Sequence, residues 1–157
     1  MKIPSKEECL DILSKHGTPK NIVEHCKAVC KVAEETADKL ISKGIKVNKP
    51  LVITAALLHD IERLKDDHMN AGADLIKKMG YPEVAEVARH HGFHSFKDEI
   101  LKPHTVEQKI VFYADKRANG SAILSVDERI NDLERRYKKD FSMERNFTKK
   151  IEKELLG

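Results

Sequence analysis

Apolar side chains recur every third or fourth position through most of this 157-residue chain. That is the spacing of one buried helix face, not the alternation of a strand. The clearest stripe is Ile22, Val23, Cys26, Val29, Cys30, Ala33, Ala37, Leu40 and Ile41. It predicts one long helix, started by Thr18-Pro19 and stopped by Gly44. Ser5 is placed to cap a shorter helix before it, ending near His16-Gly17. Asn48 caps the next, with Pro50 in its first turn. Leu51 to Leu58 is almost unbroken apolar sequence, so this helix should be buried on most sides. Lys65-Asp66-Asp67 reads as a solvated loop, with Asp67 placed to cap a helix from His68 to Met79. Gly80 closes that helix, and Tyr81-Pro82 opens another through His91. Gly92 to Lys102 is polar and reads as a loop. Thr105 starts a helix to about Ala118, and Asn119-Gly120 breaks it. Two amphipathic helices follow, near Val126 to Lys139 and Met143 to Leu155. No period-two run competes. The expected fold class is all-α, in a single domain over 1–157.

Composition narrows the classes without naming a chemistry. Hydrophobic residues make up 40% and charged residues 35%, which is globular and not disordered. The 29 basic and 26 acidic residues leave +3 with no basic block, which argues against a dedicated nucleic-acid surface. No apolar run is long enough to cross a bilayer. The segment MKIPSKEECLDILSKHG is charged and periodic, unlike a signal peptide, so a cytoplasmic location is expected. The three cysteines, Cys9, Cys26 and Cys30, suggest no disulfide framework. Cys26 and Cys30 continue the apolar stripe and read as small buried hydrophobes, with zinc binding the alternative.

Chemistry enters at AALLHDIERLKDDH, residues 55–68. An apolar helix ends there on His59 and Asp60. A buried carboxylate must be paired, hydrogen-bonded or metal-bound, because leaving it alone costs several kcal/mol. One reading has His59 bonded to a backbone carbonyl and Asp60 paired with Arg63. Other residues favour a second reading. His25 lies within the long stripe, in NIVEHCKAV, and Asp115 ends the apolar run of KIVFYADKR. Two histidines and two aspartates from three helices make a mixed nitrogen-oxygen set that suits a divalent ion. Such a set leaves coordination positions for water and phosphate.

The order His25, His59-Asp60, Asp115 resembles the HD superfamily of metal-dependent phosphohydrolases over about residues 19–118. The resemblance implies a core of about five helices, with flanking helices and a helical C-terminal extension over about 121–156. It implies that His25, His59, Asp60 and Asp115 hold one divalent ion, with Fe, Mn, Co, Ni, Zn or Mg as the candidates. Some members hold a second ion, and HMNAGADLI and ARHHGFH supply His68, His90 and His91 for it, with Asp60 bridging. Alternatively, His68 caps its helix or touches substrate, and one of His90 and His91 touches substrate while the other faces solvent. A divalent ion lowers the pKa of bound water, and the hydroxide so formed attacks phosphorus in line. Arg63, Lys116 and Arg117 are the candidate phosphate-binding cations. Asp60, Arg63, Lys116 and Glu62 are the catalytic candidates; Glu62 would orient the attacking water, or would pair with Lys65 or Arg63. His94 and His104 are candidates for the pocket mouth.

The function implied is hydrolysis of a phosphate ester of a nucleotide or related small molecule. The alternatives are a nucleotide-sensing module without turnover and a di-iron oxygenase. The expected partner is a small phosphorylated substrate, with no membrane; a homo-oligomer is compatible. Gly80-Tyr81-Pro82 precedes the double histidine, so it does not match the glycine-tyrosine-proline signature of cyclic-dinucleotide relatives, which follows theirs.

Overall fold

The computed structural model describes residues 1–93 and 95–157; His94 lies outside them. Eight helices occur among the described residues: α1 (Lys6–His16), α2 (Lys20–Ser42), α3 (Lys49–Leu58), α4 (His68–Lys78), α5 (Pro82–Arg89), α6 (Val106–Asp115), α7 (Val126–Tyr137) and α8 (Ser142–Leu156). The all-α class is borne out. The addition to it is a small antiparallel hairpin, β1 (Ala118–Asn119) and β2 (Ala122–Ile123), pairing Ala118 with Ile123 and Asn119 with Ala122.

Local chemistry explains most boundaries. The Ser5 hydroxyl accepts from the Glu8 amide, and the Glu8 carboxylate accepts from the Ser5 amide, both at 3.1 Å. This reciprocal cap satisfies two N–H groups that the helix itself cannot. Thr105 with Gln108 and Ser125 with Glu128 repeat the device at α6 and α7. The Asn48 side chain accepts from the Leu51 amide at 3.2 Å. Gly17 ends α1 at φ 76°, a left-handed conformation that carries no Cβ penalty only for glycine. One expected cap is corrected. Pro19, not Thr18, occupies the cap position of α2. Asp67 occupies the cap position of α4 as expected, but its carboxylate accepts from Asn70 Nδ2 at 3.0 Å and not from a helix amide.

The core explains the placement of everything else. The apolar stripe of α2 packs against α3, α6 and α8, and α3 also packs against α1 and α5. Leu13, Val29, Val52, Leu58, Ile76, Ile110, Ile130 and Ile151 belong to one continuous buried cluster running from α1 to α8. Because α3 is enclosed by four helices, its C-terminal end delivers His59 and Asp60 into the interior. Cys9, Cys26 and Cys30 are all buried and free, in line with the small-hydrophobe reading. Burial pushes the Cys9 thiol up to about 11 and the Cys30 thiol up to about 12, so neither is a ready nucleophile.

The hairpin carries the chain from α6 to α7. The Leu124 amide donates to the Arg117 carbonyl at 2.7 Å. The Arg117 Nε in turn donates to the Leu124 carbonyl. Arg129 Nε on α7 donates to the Ala118 carbonyl at 3.0 Å. These bonds fasten α7 beside the end of α6, where Asp115 sits.

Candidate metal centre

Four helix ends and one helix interior meet at a single point. His25 projects from within α2. His59 and Asp60 close α3, His68 opens α4, His91 follows α5, and Asp115 ends α6. His25, His59, Asp60 and Asp115 each offer one ligand atom, all within 4.8 Å of one another; Asp60, His68 and His91 form a second such group. No cysteine joins either group among the described residues.

The distances are those of a coordination shell. His25 Nε2 lies 3.0 Å from Asp115 Oδ1 and 3.5 Å from Asp60 Oδ2. His59 Nε2 lies 3.1 Å and 3.4 Å from the same two oxygens. Ligands about 2.1 Å from an ion are separated by about 3.0 Å at octahedral edges and about 3.4 Å at tetrahedral ones. The second Asp60 oxygen, Oδ1, faces the other group, 3.3 Å from His91 Nε2 and 3.8 Å from His68 Nε2. One carboxylate therefore presents one oxygen to each set of histidines.

Hydrogen bonds fix which nitrogen is available. His59 Nδ1 donates to the Ala56 carbonyl at 2.6 Å, and His91 Nδ1 donates to the Ala88 carbonyl at 2.5 Å. With the proton held at Nδ1, a neutral ring carries its lone pair at Nε2, the metal-binding form. His91 Nε2 and Asp60 Oδ1 are both buried and make no hydrogen bond, although they face each other. Two lone pairs set against each other in a buried site repel. A cation between them, or a proton, removes the repulsion and the desolvation penalty together. The donor set thus fits a divalent ion.

The electrostatics point the same way. Burial opposes charge on His59, but Asp60, Cys26 and Asp115 together outweigh it and raise the pKa well above the ordinary histidine value. Burial also works against ionised Asp60, yet His59 and His91 together prevail and lower its pKa. Asp115 is likewise lowered against burial, chiefly by the Lys116 ammonium. The cluster thus holds its carboxylates ionised. Burial lowers the pKa of His68, with His91 adding to the effect, which keeps that ring in its ligating form.

The other anticipated site residues divide. Lys116 is almost fully buried; its ammonium donates to Asp115 Oδ2 at 2.6 Å and to the His91 carbonyl at 2.7 Å. It also lies over the rings of Phe93 and Phe112. Arg63 is half-exposed, with Nε 3.9 Å from Asp60 Oδ2. Three expectations are corrected. His90 turns away, its Nδ1 bonding the Leu101 carbonyl at 2.9 Å. Glu62 is taken up by His16 at 2.5 Å and Lys65 at 2.6 Å, away from the cleft. Arg117 is occupied by the Leu124 carbonyl and the Tyr113 hydroxyl, so it braces the hairpin. His104 bonds the Glu99 carbonyl at 2.6 Å.

The cluster opens into a cleft of about 930 Å³, walled by Arg63 and His68 on one side and the hairpin and α7 on the other. The sequence reading missed Arg129, Arg136 and Tyr137 on α7. Helical spacing puts Arg129, Leu133, Arg136 and Tyr137 on one face, but does not say what that face meets.

The chain is similar in sequence to known proteins. The HD domain family matches residues 22–120. An uncharacterized protein of Methanocaldococcus jannaschii is 35% identical over 148 residues, covering 85% of this chain and 87% of that one. A tRNA (cytidine(56)-2'-O)-methyltransferase of Picrophilus torridus is 32% identical, covering 98% of this chain and 47% of that protein. A dihydroneopterin 2',3'-cyclic phosphate phosphodiesterase of Methanocaldococcus jannaschii is 33% identical, covering 75% of this chain and 50% of that protein. The chain thus spans about half the length of the latter two. No solved structure is a significant match.

Proposed function

The chain belongs to the HD domain family, and from that premise we propose that it is a metal-dependent phosphohydrolase acting on a phosphate ester of a nucleotide or related small molecule. The observation that carries this reading is the Asp60 carboxylate, which faces His25 and His59 with one oxygen and His68 and His91 with the other. His25, His59, Asp60 and Asp115 would hold one divalent ion, and Asp60, His68 and His91 a second. Such ions supply Lewis acidity toward a phosphoryl oxygen and lower the pKa of water.

The chain's own residues do the rest. The Ala56 and Ala88 carbonyls hold His59 and His91 with Nε2 inward. Lys116 balances the Asp115 charge and fixes its orientation. Arg63, at the cleft wall, can reach an oxygen of a phosphate seated above Asp60, and a guanidinium edge matches two such oxygens. Four cations line the cleft, Arg63, Lys116, Arg129 and Arg136. That lining suits an anionic substrate better than dioxygen, and it disfavours the oxygenase reading. Every position of the ligand set except His90 is filled by a converging side chain, which disfavours a sensor that has lost its chemistry. The cyclic phosphate phosphodiesterase among the relatives makes a cyclic phosphodiester the first substrate class to try.

The test is a screen of purified protein with Mn²⁺, Co²⁺, Ni²⁺, Zn²⁺ or Mg²⁺ against nucleotides, 2',3'-cyclic nucleotides and bis(4-nitrophenyl) phosphate. Phosphate ester cleavage that chelator abolishes and metal restores is the expected result. Metal binding without cleavage of any ester would overturn the reading.

A further inference from the structure

Helix α7 lies beyond the residues the family match covers, yet it forms a wall of the cleft. Its cleft face runs Arg129, Leu133, Arg136, Tyr137. Exposure rises along it, from half-buried Arg129 and buried Leu133 to Tyr137 at 63%. The stripe is therefore cationic at its deep end and aromatic at its outer end.

The cations of the cleft are not equally committed. Lys116 is bonded to Asp115 and to the His91 carbonyl. Arg136 pairs with Asp132 at 2.9 Å. Arg129 differs from both. Its Nε is anchored on the Ala118 carbonyl, which fixes the guanidinium, while its Nη1 is buried and has no hydrogen-bond partner among the described residues.

We propose that the Arg129 guanidinium, at the face it turns to the cleft, donates to a phosphate oxygen of the substrate, and that Leu133 and Tyr137 receive the substrate's ring-bearing organic group. The recognised class is a phosphate ester of a nucleoside or similar aromatic alcohol, phosphate inward and ring outward. This rests on the phosphohydrolase reading for the phosphate's position, but its test does not require turnover.

Calorimetry on the Mn²⁺-loaded full-length protein would titrate inorganic phosphate and, separately, adenosine monophosphate. Arg129→Gln should weaken both about tenfold or more, the effect of losing a charged hydrogen bond. Tyr137→Ala should weaken adenosine monophosphate while leaving inorganic phosphate within twofold. Arg135→Gln, on the exposed face of α7, is the control and should change neither. Mn²⁺ affinity and Tm, measured on each variant, distinguish contact from support. Undiminished phosphate affinity in Arg129→Gln, or a loss matched by an equal loss of Mn²⁺ affinity, would overturn the proposal. So would wild-type protein that binds Mn²⁺ but no phosphate. Wild-type protein that binds phosphate through Arg129 yet cleaves no ester would uphold this inference while removing the hydrolase reading.

Discussion

Asp60→Asn is nearly isosteric and removes one charge, yet it should empty two metal positions at once. The reason is geometric. Asp60 Oδ2 lies 3.5 Å from His25 Nε2 and 3.4 Å from His59 Nε2, while Oδ1 lies 3.3 Å from His91 Nε2 and 3.8 Å from His68 Nε2. An amide offers one weak neutral oxygen in place of two anionic ones, and its NH₂ cannot ligate. An ion at a hundred times its dissociation constant stabilises the wild type by about 2.7 kcal/mol per site. For a chain of this size that corresponds to a rise in Tm of about 5–11 °C. Differential scanning fluorimetry with and without Mn²⁺ measures the rise. Asp60→Asn should show less than about 2 °C at the same Mn²⁺ concentration, by the same conversion. His68→Ala, which belongs only to the group of Asp60, His68 and His91, should keep the share of the rise due to the other ion. Full metal-dependent stabilisation in Asp60→Asn would refute the shared-carboxylate reasoning.

Other outcomes follow from the same geometry. In the metal-free protein, the raised pKa of His59 contributes stability that is complete below its unfolded value of about 6.5 and is lost as pH rises through the folded value. Urea midpoints of wild type and His59→Gln should therefore differ more at pH 6 than at pH 9, and an equal gap would contradict the assignment. Metal loading should displace the proton held at His59, so calorimetry in buffers of different ionisation enthalpy should detect proton release near neutral pH, falling at high pH. His90→Ala should leave Mn²⁺ binding intact and cost about 1 kcal/mol in a urea titration through its lost bond to the Leu101 carbonyl, whereas His91→Ala should weaken the outer ion. Arg117→Ala should lower stability by about 1–3 kcal/mol, because the Leu124 carbonyl and Tyr113 hydroxyl lose their donor, while Mn²⁺ affinity holds.

Much of this was legible in the residues. The i, i+3, i+4 stripe of α2 and the unbroken apolar run of α3 are strong periodic signals, and both helices occur where the pattern places them. The convergence of His25, His59, Asp60 and Asp115 was legible only through the family resemblance, since spacing along a chain does not say which helices touch. His90 and His91 could not be separated by sequence, because that choice depends on how the chain leaves α5 after Arg89. Arg117 looked like a free cation because one partner, the Leu124 carbonyl, is set by a hairpin of two-residue strands, too short to give a periodic signal. The role of α7 was hidden for a related reason. Its charged face reads as solvated in sequence, and only the docking through Ala118 turns Arg129 toward the cleft.

The most direct test of the central claim is anomalous diffraction from crystals of the protein grown with Mn²⁺ or Co²⁺. The account predicts an anomalous peak bonded to His25 Nε2, His59 Nε2, Asp60 and Asp115 at about 2.0–2.3 Å. A peak held by other side chains, with these four still paired among themselves at full metal occupancy, would contradict it.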